Sequence, residues 1–253
     1  MRRGADDRGE RPAMKTVAVF AIKGGVGKTA TAVNLAYAAS TQSARRTLLW
    51  DLDGQGAATF TLRLAAAPGT SARKLFAADA ALDALIQPSA YPRLDVLPAD
   101  KSLRHLDRAY AEDSARRLKK MLKSFERDYD RVILDCPPGL TALAEEVFRA
   151  ADLIVVPLLP SPLSERAFDQ LAAHLAKHHR KGPPLLPVWT MVDRRRALHK
   201  ATVATAPDRV AVPYAVAVEA MAVHQAPVAA TTPTNPAARS FSRLWAEVET
   251  LLR

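Results

Sequence analysis

The sequence predicts a single α/β domain, a mostly parallel, twisted sheet with helices on both faces. Three observations predict it. Short Val/Ile/Leu-rich runs alternate with longer helical patterns, as parallel strands joined by crossover helices require. A glycine-rich turn, Lys23-Gly24-Gly25-Val26-Gly27-Lys28-Thr29, separates the first apolar run from the first helical pattern. Two later runs end in aspartate, at the carboxyl edge where ligands bind in open α/β sheets.

The expected strands are 15–22, 46–51, 94–97, 131–135, 152–157, 185–192 and 210–214. Most are continuously apolar, as strands buried on both faces should be. The chain has 253 residues, 49% of them hydrophobic and 25% charged, which is ordinary for one large domain. Its net charge of +10 is not ordinary and predicts an anionic partner, nucleic acid or an anionic membrane surface. A lone cysteine, Cys136, excludes an internal disulfide and a four-thiolate metal or iron–sulfur site within one chain. No apolar run approaches the roughly 20 residues of a membrane span. Residues 1–13 carry both charge signs and no apolar core, so they read as a disordered tail rather than a secretory signal.

The first strand and the helix from about Ala30 to Ser40 flank the turn at 23–29. Strand, glycine turn and helix form the context of a phosphate-binding loop. Glycines let backbone N–H groups converge on an anion, and the helix adds the positive end of its dipole. Lys28 is placed for the β- and γ-phosphates of a nucleotide, and the Thr29 hydroxyl for Mg2+. The plain Walker pattern has glycine six residues before the lysine; Ile22 stands there, with a second lysine, Lys23, beside it. Lys23 is either a solvated loop-edge lysine or a group reaching across an interface to a second nucleotide.

The second strand runs into Asp51-Leu52-Asp53-Gly54-Gln55-Gly56. Strand alternation puts Asp51 and Asp53 on one side, one to order the metal shell and the other to orient an attacking water; the alternative is a pair of turn caps. Residues 54–92 are irregular and carry no assigned chemistry. A helix is expected over 100–130, with Leu103, Leu106, Tyr110, Leu118, Met121, Leu122 and Phe125 on its apolar face. The fourth strand ends in Asp135-Cys136-Pro137-Pro138-Gly139. An apolar strand closing on an acid is the Walker-B arrangement, and Asp135 is the candidate to hold Mg2+.

A helix over about 163–179 closes on His178-His179-Arg180-Lys181-Gly182. Adjacent histidines do not share a helix face, which argues against a metal pair there. From Lys177 to Lys200 there are seven Lys/Arg against one acid, Asp193. Within it, Arg194, Arg195, Arg196 and Lys200 are the candidate phosphate-backbone contacts for DNA. The last helix carries Phe241, Leu244, Trp245, Val248, Leu251 and Leu252 as a stripe expected to fold back on the sheet rather than onto a membrane.

Taken together, the loop at 23–29, the Asp51-Leu52-Asp53-Gly54-Gln55-Gly56 turn and the Asp135-Cys136-Pro137-Pro138 strand end resemble the ParA/MinD family of deviant Walker A ATPases, over roughly residues 14–252. Val212-Pro213-Tyr214-Ala215-Val216-Ala217-Val218-Glu219-Ala220 is similar in placement to that family's adenine-side loop. The resemblance implies a SIMIBI-like P-loop NTPase fold over 14–253, with ATP and Mg2+ as cofactors. It implies that residues 23–30, with Pro213 and Glu219, hold the nucleotide. Lys28 is then the Walker lysine, and Lys23 the signature lysine entering the other subunit of an ATP-bound homodimer. Thr29, Asp51 and Asp135 lie at the metal, and Asp53 orients the hydrolytic water. The partners implied are a second copy, non-specific double-stranded DNA and a ParB-like or cargo-adaptor protein that stimulates slow hydrolysis. The setting implied is cytoplasmic and nucleoid-associated. The cargo would be a plasmid, a chromosome or a large protein complex. Many relatives have Pro at the place of Gly54 and Asn at the place of Ala57, beside the catalytic turn. A MinD-like membrane-surface switch is the alternative within the family. A metabolic or redox P-loop enzyme is the alternative outside it, and the single cysteine argues against its cluster-bridging form.

Overall fold

The structure, a computed structural model, describes residues 13–65, 82–99 and 117–253. In chain order the elements are β1 (Lys15–Val19), α1 (Lys28–Gln42), β2 (Thr47–Asp51), α2 (Ala57–Thr61), β3 (Gln87–Pro88), β4 (Leu94–Leu97), α3 (Arg117–Ser124), β5 (Arg131–Asp135), α4 (Ala142–Ala150), β6 (Leu153–Leu158), α5 (Pro162–His178), β7 (Leu185–Val192), α6 (Ala197–Ala204), β8 (Ala211–Pro213), α7 (Val216–Glu219), α8 (Met221–His224), α9 (Val228–Thr231) and α10 (Pro236–Leu251). The strands form one sheet in the order β3-β4-β2-β5-β1-β6-β7-β8. Every pairing is parallel except β3 with β4, a two-residue antiparallel edge.

All seven expected strands are present, and β3 is an addition. Gln87 and Pro88 are too short and too polar to register as a strand. Proline is tolerated there because an edge strand has a free N–H side. β1 is shorter than expected because the chain leaves the sheet after Val19 to enter the phosphate loop. Of the expected tail, residues 1–12 lie outside the described residues, as do 100–116 of the expected helix over 100–130.

Strand residues alternate between two cores. Ala18, Phe20, Trp50, Val132 and Leu134 face α3, α4 and α5 on one side. Val17, Val19, Leu49, Ile133 and Val155 face α1 and α10 on the other. The closing helix packs as its stripe predicts. Phe241, Leu244, Trp245 and Val248 are all buried in the α1-side core. Its end is clamped by Glu249, which accepts two hydrogen bonds from the Arg131 guanidinium at 2.7 and 3.0 Å. Trp245 is 1% exposed and donates its indole N–H to Ser43 Oγ at 2.7 Å. Trp245→Ala therefore removes a large buried ring and orphans a hydroxyl. It is expected to cost about 3–5 kcal/mol, read as a lower urea midpoint. Among the described residues no helix is long and apolar enough to cross a membrane.

Candidate functional site

The site is built where β1, β2 and β5 end together. β1 lies beside β5 and β5 beside β2, and the register places Asp51 opposite Asp135. The 23–29 turn follows β1 directly. Gly25 and Gly27 have φ of 72° and 86°, the left-handed region that side chains disfavour. Gly27 is the N-cap of α1 and has no side chain to satisfy the first turn's N–H groups. Those donors are left for an anion, reinforced by a helix of 15 residues. Val26 is buried, and its carbonyl accepts a hydrogen bond from the Thr190 hydroxyl of β7 at 2.8 Å.

The two lysines of the turn differ sharply. Lys28 is 8% exposed, and its Nζ donates to the Lys23 carbonyl at 3.2 Å. Burial lowers its pKa, opposed by the charges of Asp135 and Asp53. Lys23 is exposed, and its Nζ donates to the Leu163 carbonyl in the first turn of α5 at 3.0 Å. In this conformation Lys23 points along its own chain.

The three acids also separate by environment. Asp135 is fully buried, and neither carboxylate oxygen has a hydrogen-bond partner. Burial, then the facing Asp51, push its pKa well above the usual carboxylate range, and the nearby Thr29 hydroxyl pulls the other way. Asp51 is also fully buried but has partners. Its oxygens accept from Asp53 N at 3.2 Å and from Thr59 N and Oγ1 at 2.9 and 2.8 Å. Burial still raises its pKa to about 6. Asp53 is half-buried, and its Oδ1 accepts from Gln55 N at 3.0 Å. The expected one-sided alternation of Asp51 and Asp53 is not what joins them. The strand stops at Asp51, and Asp53 belongs to a turn closed by Gly56 N to Asp53 O at 2.8 Å.

A divalent cation fits this donor set. A buried, unpartnered carboxylate beside a threonine hydroxyl and a buried lysine is an arrangement that lacks a positive charge. Asp135 and Thr29 would hold Mg2+, which prefers few protein oxygens with water and phosphate completing its shell. Asp51 is better occupied as the anchor of α2.

Beside the loop is a pocket of about 200 Å3, lined among others by Gly27, Ala30, Thr190, Met191, Pro213, Tyr214 and Glu219. It brings together Ala30, Pro213 and Glu219, three of the residues that the sequence reading assigns to the nucleotide. The Tyr214 hydroxyl donates to Glu219 Oε1 at 2.6 Å. Thr190 and Met191 had no sequence signal. Met191 takes a left-handed φ of 53° where β7 shifts register, and its methyl group lies against Gly27.

These features lie together at the carboxyl edge of a mostly parallel sheet. A family profile described as an AAA domain matches residues 14–185. A ParA family protein of Chlamydia pneumoniae is 30% identical over 95% of this chain and 99% of its own length. This chain belongs to the ParA/MinD family. The sporulation initiation inhibitor protein Soj of Bacillus subtilis is 32% identical over 73% of this chain and 75% of its own. The septum site-determining protein MinD of Pyrococcus horikoshii, solved with Mg-ADP, superposes with a TM-score of 0.77 at 21% identity. That match covers 94% of this chain and 97% of the other, and it shows the shared fold. As a member of this family the chain is a ParA/MinD-type ATPase.

The basic run divides in space. Arg194, Arg195, Arg196 and Lys200 follow β7 at the nucleotide edge and are exposed. Lys177, Arg180 and Lys181 precede β7 at the opposite edge. The 8 residues of β7 put roughly 26 Å between the two groups. Arg195 is tied up, its guanidinium donating to both Asp193 oxygens at 2.9 and 3.0 Å. That pairing draws the Asp193 pKa down to about 2. Among the described residues Arg194, Arg196 and Lys200 form no ion pair. Trp189 is buried beneath Arg209, 4.2 Å over its ring, and is closed to base stacking.

Proposed function

We propose that this chain is an ATP-gated DNA-binding switch that positions or segregates a cargo. The observation that carries the reading is the division of labour between Lys28, buried at the phosphate loop, and Lys23, exposed five residues away on the same turn. Lys28 exchanges the Lys23 carbonyl for the β- and γ-phosphates. The uncapped start of α1 receives the same phosphates through its N–H groups. Thr29 and Asp135 hold Mg2+, which neutralises phosphate charge when bound. Asp53, the most accessible of the three acids, orients the attacking water. Lys23 leaves Leu163 and reaches the nucleotide of a second copy, so the pair forms only around a triphosphate.

The paired form then holds double-stranded DNA without sequence preference through Arg194, Arg196 and Lys200. Arg195 joins only by giving up Asp193. A ParB-like or cargo-adaptor protein stimulates hydrolysis and releases the DNA, which places the protein in the cytoplasm on the nucleoid. The plasmid, chromosome or protein-complex cargo is set by that partner.

The reading is tested with an Asp53→Ala variant, in which hydrolysis is blocked. Binding to a random duplex is expected with ATP and Mg2+ and to be lost with ADP or no nucleotide. It should weaken steeply with salt. The Arg194→Ala/Arg196→Ala/Lys200→Ala variant should lower both affinity and salt slope. Affinity identical across the three nucleotide states would overturn the switch.

A further inference from the structure

Away from the nucleotide, α4 and the end of α5 bring together a group that the ATPase does not use. Glu145 stands in the first turn of α4. His174 lies near the end of α5, and His179 is its C-cap, with φ −131° and ψ 70°. Because the backbone leaves the helix at His179, two histidines five residues apart converge instead of diverging. Sequence spacing points to His178 and His179 and argues against a pair; the pair that forms is His174 with His179.

Both imidazoles meet one carboxylate. His174 Nε2 lies 2.6 Å from Glu145 Oε1, and His179 Nε2 lies 2.7 Å from Glu145 Oε2. All three side chains offer a ligand atom within 4.8 Å of the others. Phe148 sets its ring edge-on to both, with centroids 6.2 Å from His174 and 5.7 Å from His179. The His178 ring lies 4.7 Å from His174 on the other side. The rings are thus held in place. His179 is nearly buried, while Glu145 and His174 keep about a quarter of their side-chain surface open to solvent.

We propose that Glu145, His174 and His179 form a site for one borderline-soft divalent ion of the zinc type. Two imidazoles and one carboxylate are a zinc donor set, and three protein ligands leave a fourth position for water. Magnesium is disfavoured, because it selects oxygen ligands. Each ring would bind the ion through Nε2 as its Nδ1–H tautomer, the proton that bonded the carboxylate leaving Nε2 to solvent and, for a neutral ring, Nδ1 taking one up. Metal–ligand distances of about 2.1 Å need ligand atoms about 3.4 Å apart in a tetrahedron. The contacts of 2.6 and 2.7 Å therefore open by roughly 0.7–0.8 Å, within reach of small side-chain rotations. The Arg149 charge opposes the ion, and Lys119, Lys123 and Lys181 line the same cleft as His179. Arg149 lies 3.6 Å from Glu145 Oε2, yet it is also bonded to Glu146 Oε1 at 3.2 Å and can stay there. The bound ion would staple α4 to α5. α4 follows the Pro137–Leu140 loop, and the first turn of α5 carries the carbonyl that holds Lys23.

The test is Zn2+ titrated into EDTA-treated full-length protein against a chromophoric chelator, with Mg2+ as control. One Zn2+ per chain is expected, with a raised melting temperature. His174→Ala, His179→Ala and Glu145→Gln should each weaken binding by about tenfold or more, and His224→Ala should not. If the two contacts to Glu145 are purely structural ion pairs, the variants lose stability equally with and without Zn2+, and the proposal fails. Should a variant not fold, long-range 15N–1H spectra of the wild type decide. Zn2+ should shift the Nε2 resonances of two histidines. No bound Zn2+, binding unchanged in the variants, or no shifted histidine would each overturn the site.

Discussion

Asp135→Asn is expected to raise the melting temperature of the nucleotide-free protein and to abolish its further stabilisation by Mg2+ and ATP. The wild-type side chain is fully buried, has no hydrogen-bond partner and faces Asp51 across the β2–β5 pairing. An uncompensated buried polar group costs about 1–3 kcal/mol, and more when charged. Asn cannot ionise, so the cost of keeping this acid buried, charged or protonated, should be recovered on that order, or a few degrees for a chain of this size. The same substitution takes away the carboxylate proposed to hold the metal, so the stabilisation by ligand, which grows with the logarithm of ligand concentration, is expected to be lost.

The sign with pH follows. Asp51 and Asp135 hold protons in the folded chain at pH values where the unfolded chain has released them. The folded state then binds more protons, so stability falls as pH rises from the ordinary carboxylate value of 3.8 through about 6. Thermal melts between pH 4 and 7, estimated to span this window, should show that decline in the nucleotide-free wild type and a shallower one in Asp135→Asn. A variant that melts lower than wild type without nucleotide, yet still responds to Mg2+ and ATP, would show that Asp135 is a structural acid.

Lys23→Ala should separate binding from pairing. The substitution removes an exposed amine that holds one carbonyl, so stability should change by less than about 1 kcal/mol. It keeps the Lys23 carbonyl, the atom that Lys28 touches. Affinity for ATP should therefore move only a few-fold, while ATP-dependent dimerisation should be lost, read by light scattering with and without ATP. Lys28→Ala should remove both. Equal losses in ATP affinity and dimerisation for Lys23→Ala would mean that the exposed lysine serves its own subunit's nucleotide.

The architecture was legible because buried parallel strands leave an unambiguous mark: Val132-Ile133-Leu134 or Leu153-Ile154-Val155-Val156 has few other places to go. The loop was legible because only glycine accepts the conformations at 25 and 27 at little cost. The finer chemistry was not. Nothing in the spacing of Asp51 and Asp53 tells which carboxylate is spent on Thr59 and which acid, two strands away in sequence, stays unpartnered. The basic run reads as one cluster because sequence distance hides the length of β7. The convergence of His174 with His179 depends on where α5 ends, and helix ends are where patterns are weakest. Met191 is invisible for a related reason: a left-handed φ at a non-glycine is imposed by the register shift in β7, not by its own preference.

The hydroxyl of Thr190 has a mechanical meaning. It grips the Val26 carbonyl at 2.8 Å and the Leu158 carbonyl at 3.2 Å, so β6, β7 and the phosphate loop are riveted at one point. Three residues on, just past the end of β7, stands Asp193, whose backbone N–H donates to His199 Nδ1 at 3.0 Å. The glycine loop and the turn that carries Arg194, Arg195 and Arg196 are thus tied to the same strand, one at Thr190 and the other just past its end.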